Sequence, residues 1–256
     1  MSEGIITRRG GTAAASGFPE FTYTGDYQFI DDGNKNWKIK FLTSGTLRFS
    51  RIDAVCDAFV VGGGGGGGSH AGGGGGGGYT RTTILTSLVK NVDYTITVGA
   101  GGMNGSGSSA SSGKGTNGTA SSIIDENGSS LISSNGGLGG NPFSGSPSSA
   151  GGNGGSGGGS GATNNTYTPY GGKDGSDGGK SNVRSGGIGQ HTTTKEFGEN
   201  DGTLYSTGGY GGISIHTKKA GDPNTGDGGD GGGNNGDSGM KGGSGIVILR
   251  NHREVA

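Results

Sequence analysis

Between Phe21 and Val61 apolar and polar residues alternate in short runs, and the breaks between runs carry Gly, Asp and Asn. That is the pattern of β-strands joined by tight turns. The runs are FTYT, YQFI, WKIKFLT and TLRFS, and they read as a meander. In WKIKFLT, Trp37, Ile39 and Phe41 alternate with Lys38 and Lys40, so one face of the strand is expected to be buried and the other polar. TSGTLRFS is expected to continue it as a hairpin. Three further strand-like stretches follow: TRTTILTSLV with DYTITVG, SSIIDENGSSLISS, and GIVILR near the end. Ile246, Val247, Ile248 and Leu249 are apolar without a break, as in a strand covered on both faces, and this stretch is expected to close the first sheet.

The sequence between these strands has no such alternation. It contains VVGGGGGGGSHAGGGGGGGYT, with seven consecutive glycines at 62–68 and seven more at 72–78, and Gly makes up 69 of the 256 residues. Gly brings no side chain to bury and loses the most backbone freedom on ordering, so such runs favour disorder unless something compensates. A compensating pattern is present. Gly152, Gly155, Gly158 and Gly161 recur at a spacing of three, as do Gly233, Gly236, Gly239, Gly242 and Gly245. Three residues per turn, at about 3.1 Å each, is the polyproline II repeat. Five prolines are too few for collagen, and the triplet phase slips. A remaining ordered arrangement is a bundle of polyglycine II helices whose bare backbones hydrogen-bond side by side, with His70 marking the turn between the two glycine runs, and a disordered linker is the alternative.

The fold class expected is therefore mainly β: an antiparallel sheet or sandwich with an inserted glycine-rich bundle of polyglycine II helices and almost no α-helix. Residues 1–17 read as an extended N-terminal attachment arm for another chain, with Ile5 and Ile6 as its large aliphatic pair beside Arg8 and Arg9. Residues 18–250 read as one glycine-rich domain, with its β region at 20–61, 79–98 and 245–250 and its bundle with loops at 62–78 and 99–245. Residues 251–256 form a tail.

Charge and chemistry narrow the function by exclusion. A formal net charge of −1, from 19 basic and 20 acidic residues, provides no basic face, so no nucleic-acid partner is expected. No apolar stretch suits membrane insertion or a secretory signal. The chain is expected to be made soluble in a cytoplasm and, if it works outside a cell, to leave by lysis or another non-secretory route. Cys56 is the one cysteine and reads as a small core residue.

The G-x-G-x-x-G at Gly152, Gly154 and Gly157 lacks a following helix pattern, and Lys114 and Lys180 lack the glycine spacing of a phosphate loop. His70, His191, His216 and His252 show no metal spacing. Asp222, Asp227, Asp230 and Asp237 lack the ligand pattern of a calcium repeat and read as solvated edge residues. No catalytic set, metal or cofactor is expected. Phe143, Tyr167, Tyr170, Tyr205 and Tyr210 lie in non-glycine segments between glycine runs. Tyrosines among Asn, Ser and Thr on a rigid scaffold suit surface recognition, and capping of the bundle ends is the structural alternative.

CDAFVVGGGGGGG, YTITVGAGG, GQHTTTKEFGENDGTLYSTGGYGG and GGSGIVILR together resemble the glycine-rich domain proteins encoded by phages and prophages of gut bacteria, over most of residues 20–250. A looser similarity is to the tip adhesins of T-even-type long tail fibres, in which glycine-rich motifs form a polyglycine II sandwich whose loops bind the host. The chain departs from these in having a β region threaded through the bundle. A still looser one is to the glycine-rich region of certain receptor tyrosine kinase ectodomains. The resemblance implies a non-enzymatic protein of the virion surface, produced in the host bacterial cytoplasm, a tail-tip or fibre-associated adhesin. Its implied partners are other virion proteins, further copies of itself and a bacterial surface glycan or protein. A capsid or tail decoration protein is the runner-up. An ice-binding slab and a cell-wall hydrolase are the readings from other classes; irregular charged loops argue against the first, and the second has no site.

Overall fold

The structure is a computed structural model, and it describes residues 5–9, 18–52, 55–86, 88–107, 113–143, 149–161, 177–179, 184–188, 194–212 and 217–253. Its eleven described strands form two antiparallel sheets. The first contains, in spatial order, β1 (Ile5–Arg9), β3 (Asp26–Gly33), β4 (Asn36–Phe41), β11 (Ile246–Asn251), β6 (Cys56–Val61) and β7 (Thr80–Leu85). The second contains β10 (Ser130–Ser134), β9 (Ser121–Ile124), β8 (Asp93–Thr97), β5 (Gly45–Arg51) and β2 (Glu20–Tyr23).

The core lies between the sheets, as two one-sided apolar faces require. Trp37, Ile39 and Phe41 of β4 meet Phe21, Leu47, Phe49, Tyr94, Ile96 and Ile123 from the second sheet. β11 does close the first sheet, and it does so from a central position: Val247 is registered against both Phe41 of β4 and Val60 of β6. The unbroken apolar run of β11 follows from this place. Val247 and Leu249 face the main core, and Ile246 and Ile248 pack on the other face with Phe59, Val61 and Tyr205. Cys56 is buried in the main core.

Two local expectations are corrected. WKIKFLT and TLRFS do not form a hairpin, because β4 and β5 belong to different sheets, as do β2 and β3. Both crossings meet at one corner, where a Cβ on Gly45 would fall within 3.0 Å of the Gly25 amide and one on Gly25 within 3.0 Å of the Ser44 carbonyl. Only two glycines allow the chain to pass itself there. The second correction concerns the N-terminal arm. Ile5, Ile6, Arg8 and Arg9 lie in β1, which pairs with β3 of its own sheet from Ile5 opposite Ile30 to Arg9 opposite Asp26. An unsatisfied edge on β3 is thereby covered from within the chain.

The glycine runs continue the strands. β6 runs into residues 62–68 and β7 emerges from 72–78, so the two runs prolong one hairpin, and its ladder changes period as it leaves the sheet. The Gly62, Gly65 and Gly68 amides donate to Tyr79, Gly76 and Gly73 at 3.0, 2.8 and 2.9 Å, every third residue where a sheet would pair every second. The Gly63, Gly66 and Ser69 amides go to Thr119, Thr116 and Gly113, while Gly64, Gly67 and His70 go to Gly243, Met240 and Asp237. The carbonyls rotate in the same way: Gly63 and Gly66 accept from Gly137 and Gly140, Gly64 and Gly67 from Gly102 and Gly105, and Gly65 and Gly68 from Gly229 and Gly232.

Residues 62–68 are thus surrounded by six segments, each bonded at intervals of three. Residues 72–78 have six neighbours of their own, which add 152–155, 156–159 and 209–212 to shared ones. Both runs are buried throughout. The enclosure explains the composition: a Cβ at Gly64, Gly66 or Gly67 would overlap the carbonyl of Asp227, Met103 or Asp230. Chain order supports the lattice, since 99–105 follows β8, 113–119 leads into β9, 135–141 follows β10 and 226–245 leads into β11.

Candidate functional site

Three places bring together chemically capable side chains, and the first is the tip of the lattice farthest along the chain from β6 and β7. There the hairpin reverses at His70 and Ala71, which take φ of 54° and 51°. The His70 Nδ1 accepts from the Gly236 amide at 2.7 Å, its carbonyl accepts from the Phe143 amide at 3.2 Å, and Ser69 Oγ reaches the carbonyls of Gly107 and Gly113. The Phe143 ring meets the His70 imidazole edge-on, with centroids 5.4 Å apart, and remains 41% exposed. His70 therefore marks the turn, and Phe143 presents an aromatic surface beside it.

The second place is the outer face of the first sheet. Residues 194–206, including a 3-10 turn at Glu196–Gly198, lie over β4, β6 and β11. Glu196 is 3% exposed and receives Lys38 Nζ at 2.5 Å, Lys40 Nζ at 2.8 Å and the Tyr205 hydroxyl at 3.0 Å. Burial alone would push its carboxyl up, but the charges and hydrogen bonds of Lys40 and Lys38 outweigh that and hold it below the usual carboxylate range. Arg250 binds Asp57 at 3.0 Å, pairs with Glu199 and lies 4.0 Å over the Phe197 ring. Asp57 also meets His252 at 2.5 Å, and Arg253 pairs with Asp32. Glu196 with Lys38 and Lys40, and Glu199 with Arg250, hold the loop down on the sheet.

Tyr205 belongs to that clamp. It is 4% exposed, with its ring packed 5.4 Å from Phe59. The expectation that it displays an aromatic face to a partner is corrected, because the outer apolar face of β6 and β11 needs a cover and Tyr205 supplies it.

The third place is a groove of about 410 Å3 on the side of the lattice, lined by parts of 185–188, 207–210, 217–221 and 227–230. Tyr210, 44% exposed, and Ile188, 66% exposed, supply its apolar wall. Asp227 Oδ1 accepts from the Thr207 amide and hydroxyl at 2.8 and 2.7 Å. Asp230 Oδ1 and Oδ2 accept from the Tyr210 and Lys219 amides at 2.7 and 2.8 Å. Asp230 is buried, so the reading of these aspartates as uniformly solvated fails for it. Lys219 Nζ meets Asp222 at 2.7 Å.

Of the groove's lining, the sequence singles out Tyr210 as an aromatic residue and Asp227 and Asp230 only as solvated edge residues, and it does not single out Ile188, Thr217 or Lys219. The signal available was a shared spacing of three: Thr207 and Tyr210 on one segment answer Asp227 and Asp230 on the next. Tyr167 and Tyr170 lie outside the described residues. Among the described residues no three His, Cys, Asp or Glu side chains are grouped to hold a metal ion.

A comparison with curated proteins finds no match to the chain. The profile of the glycine-rich domain matches residues 43–252, which takes in β6 to β11 and every lattice segment described above. The chain belongs to the glycine-rich domain family.

Proposed function

We propose that this protein is a non-enzymatic recognition protein of a phage virion, a tail-tip or fibre-associated adhesin that binds the host bacterial surface. In this reading the glycine lattice is a polyglycine II bundle serving as scaffold. The observation that carries it is the six-neighbour bonding of residues 62–68 and 72–78. A scaffold held by its own backbone bonds does not depend on the side chains of its connecting loops, so those loops are free to carry recognition residues. Phe143 at the tip and Tyr210 at the side are exposed aromatic groups seated on it, suited to weak contacts that several linked copies reinforce.

The test uses the purified full chain, fluorescently labelled, on intact bacteria of the host strain and on an isogenic strain lacking capsule and surface polysaccharide, together with antibody labelling of whole particles. Binding to the first strain, with the label at the tail tip or fibres, is the expected result. Label spread over the capsid with no cell binding would make the protein a decoration protein instead.

A further inference from the structure

Carboxylates end the lattice at the side groove. The amides of residues 62–68 and 72–78 go to a neighbour's carbonyl, whereas in the outer segments side chains take some of them: Thr119, Thr116 and Asn117 accept from Ala100, Met103 and Gly139, and here Asp227 and Asp230 accept from Thr207, Tyr210 and Lys219. A further backbone segment would find these donors already taken. The space between 185–188 and 217–221 is therefore built to end the lattice, and it stays open as a groove whose volume falls within the usual range of small-molecule sites.

We propose that this groove binds one non-acidic sugar ring of a bacterial surface glycan, with Tyr210 and Ile188 against its C–H face and Asp227 accepting from its hydroxyls. Asp227 has the required acceptor: Oδ1 is engaged by Thr207, and Oδ2 has no protein hydrogen bond among the described residues. A carboxylate oxygen takes hydroxyl hydrogens strongly, and an aromatic face receives the weakly positive C–H groups of a pyranose. Asp227 and Asp230 line the groove while the Lys219 ammonium is already paired with Asp222, so the lining is net negative and disfavours an anionic sugar. Thr217 adds a hydroxyl at the rim. The assignment rests on the adhesin reading and gives it a ligand class.

The test is saturation-transfer NMR together with amide-shift mapping of the full chain, with methyl glucoside, methyl galactoside and N-acetylglucosamine as uncharged probes and glucuronic acid as the anionic one. At least one uncharged probe should bind with a Kd on the order of 1 mM, shifting the amide signals of Gly208, Gly209 and Gly228, and glucuronic acid should not. Asp227→Asn and Tyr210→Ala should each weaken that binding at least about tenfold. Thermal unfolding checks the variants, and if Tyr210→Ala does not fold, Asp227→Asn with the wild-type shift map decides. Absence of binding by every uncharged probe, equal binding of glucuronic acid, or binding unchanged in the variants overturns the proposal. Cell binding that survives both variants rejects this groove while leaving the adhesin reading intact. Sugar bound in the groove, with no cell binding by the wild type, rejects the adhesin reading instead.

Discussion

The Gly66 carbonyl accepts the Gly140 amide at 2.9 Å while the Gly66 amide donates to Thr116 at 3.0 Å. One residue without a side chain thus ties two neighbouring segments together. A Cβ placed on Gly66 would overlap the Met103 carbonyl of a third. Gly66→Val should accordingly destabilise the protein by at least about 3 kcal/mol, because neither backbone can move without breaking bonds to others. Gly155→Val and Gly239→Val, which face the carbonyls of Gly78 and Gly67, should behave likewise. Equilibrium denaturation measures the losses.

Glu196 gives a prediction with a sign in pH. Its carboxyl is held below the usual range in the folded protein, so its contribution is complete above the unfolded value of about 4.3 and is lost as pH falls through the folded one. Glu196→Gln should cost about 2 kcal/mol at neutral pH, because Lys38 and Lys40 lose their partner. The difference from wild type should shrink below about pH 4.3. Urea titrations at neutral and acid pH compare the two proteins.

Tyr205→Phe removes the hydroxyl that donates to Glu196 and keeps the ring on Phe59. A loss of about 1 kcal/mol is expected, with cell binding unchanged because the side chain is not at the surface. Cell-binding and melting curves of the same variant separate the two effects.

Cys56 should be inert. Burial first, and the neighbouring Asp57 charge second, push its thiol up to about 12, so no thiolate is present near pH 8. Labelling by a thiol reagent should follow global unfolding, with a rate that rises with denaturant. Rapid labelling of the native protein would contradict the burial.

What could be read in advance was whatever side chains report. Trp37, Ile39 and Phe41 gave away a one-sided strand, and Ile246 to Leu249 a two-sided one, because burial leaves a period in apolar residues. The spacing of three at Gly239, Gly242 and Gly245 matches the intervals of the lattice bonds, whereas the series Gly152 to Gly161 is not one run: Gly152 and Gly155 bond to Gly74 and Gly77, and Gly158 bonds back to Gly152. Which segments would be neighbours was hidden, since glycine carries no side chain to specify a partner, and only the strands leading in and out set the order. The Glu196 clamp joins Lys38 and Lys40 to a loop more than 150 residues away, and no local pattern announces such a pair. The sheet crossing at Gly25 and Gly45 was hidden for a related reason: a corner and a hairpin use the same turn residues.

Amide hydrogen exchange of residues 62–68 and 72–78 tests the central claim most directly. If each of these amides is bonded to a neighbour in a buried lattice, they exchange as slowly as those of β6 and β11, opening only with the fold as a whole. Exchange at the rate of a free glycine peptide, while β6 and β11 remain protected, would mean that the runs are a tether between strands and that no scaffold exists.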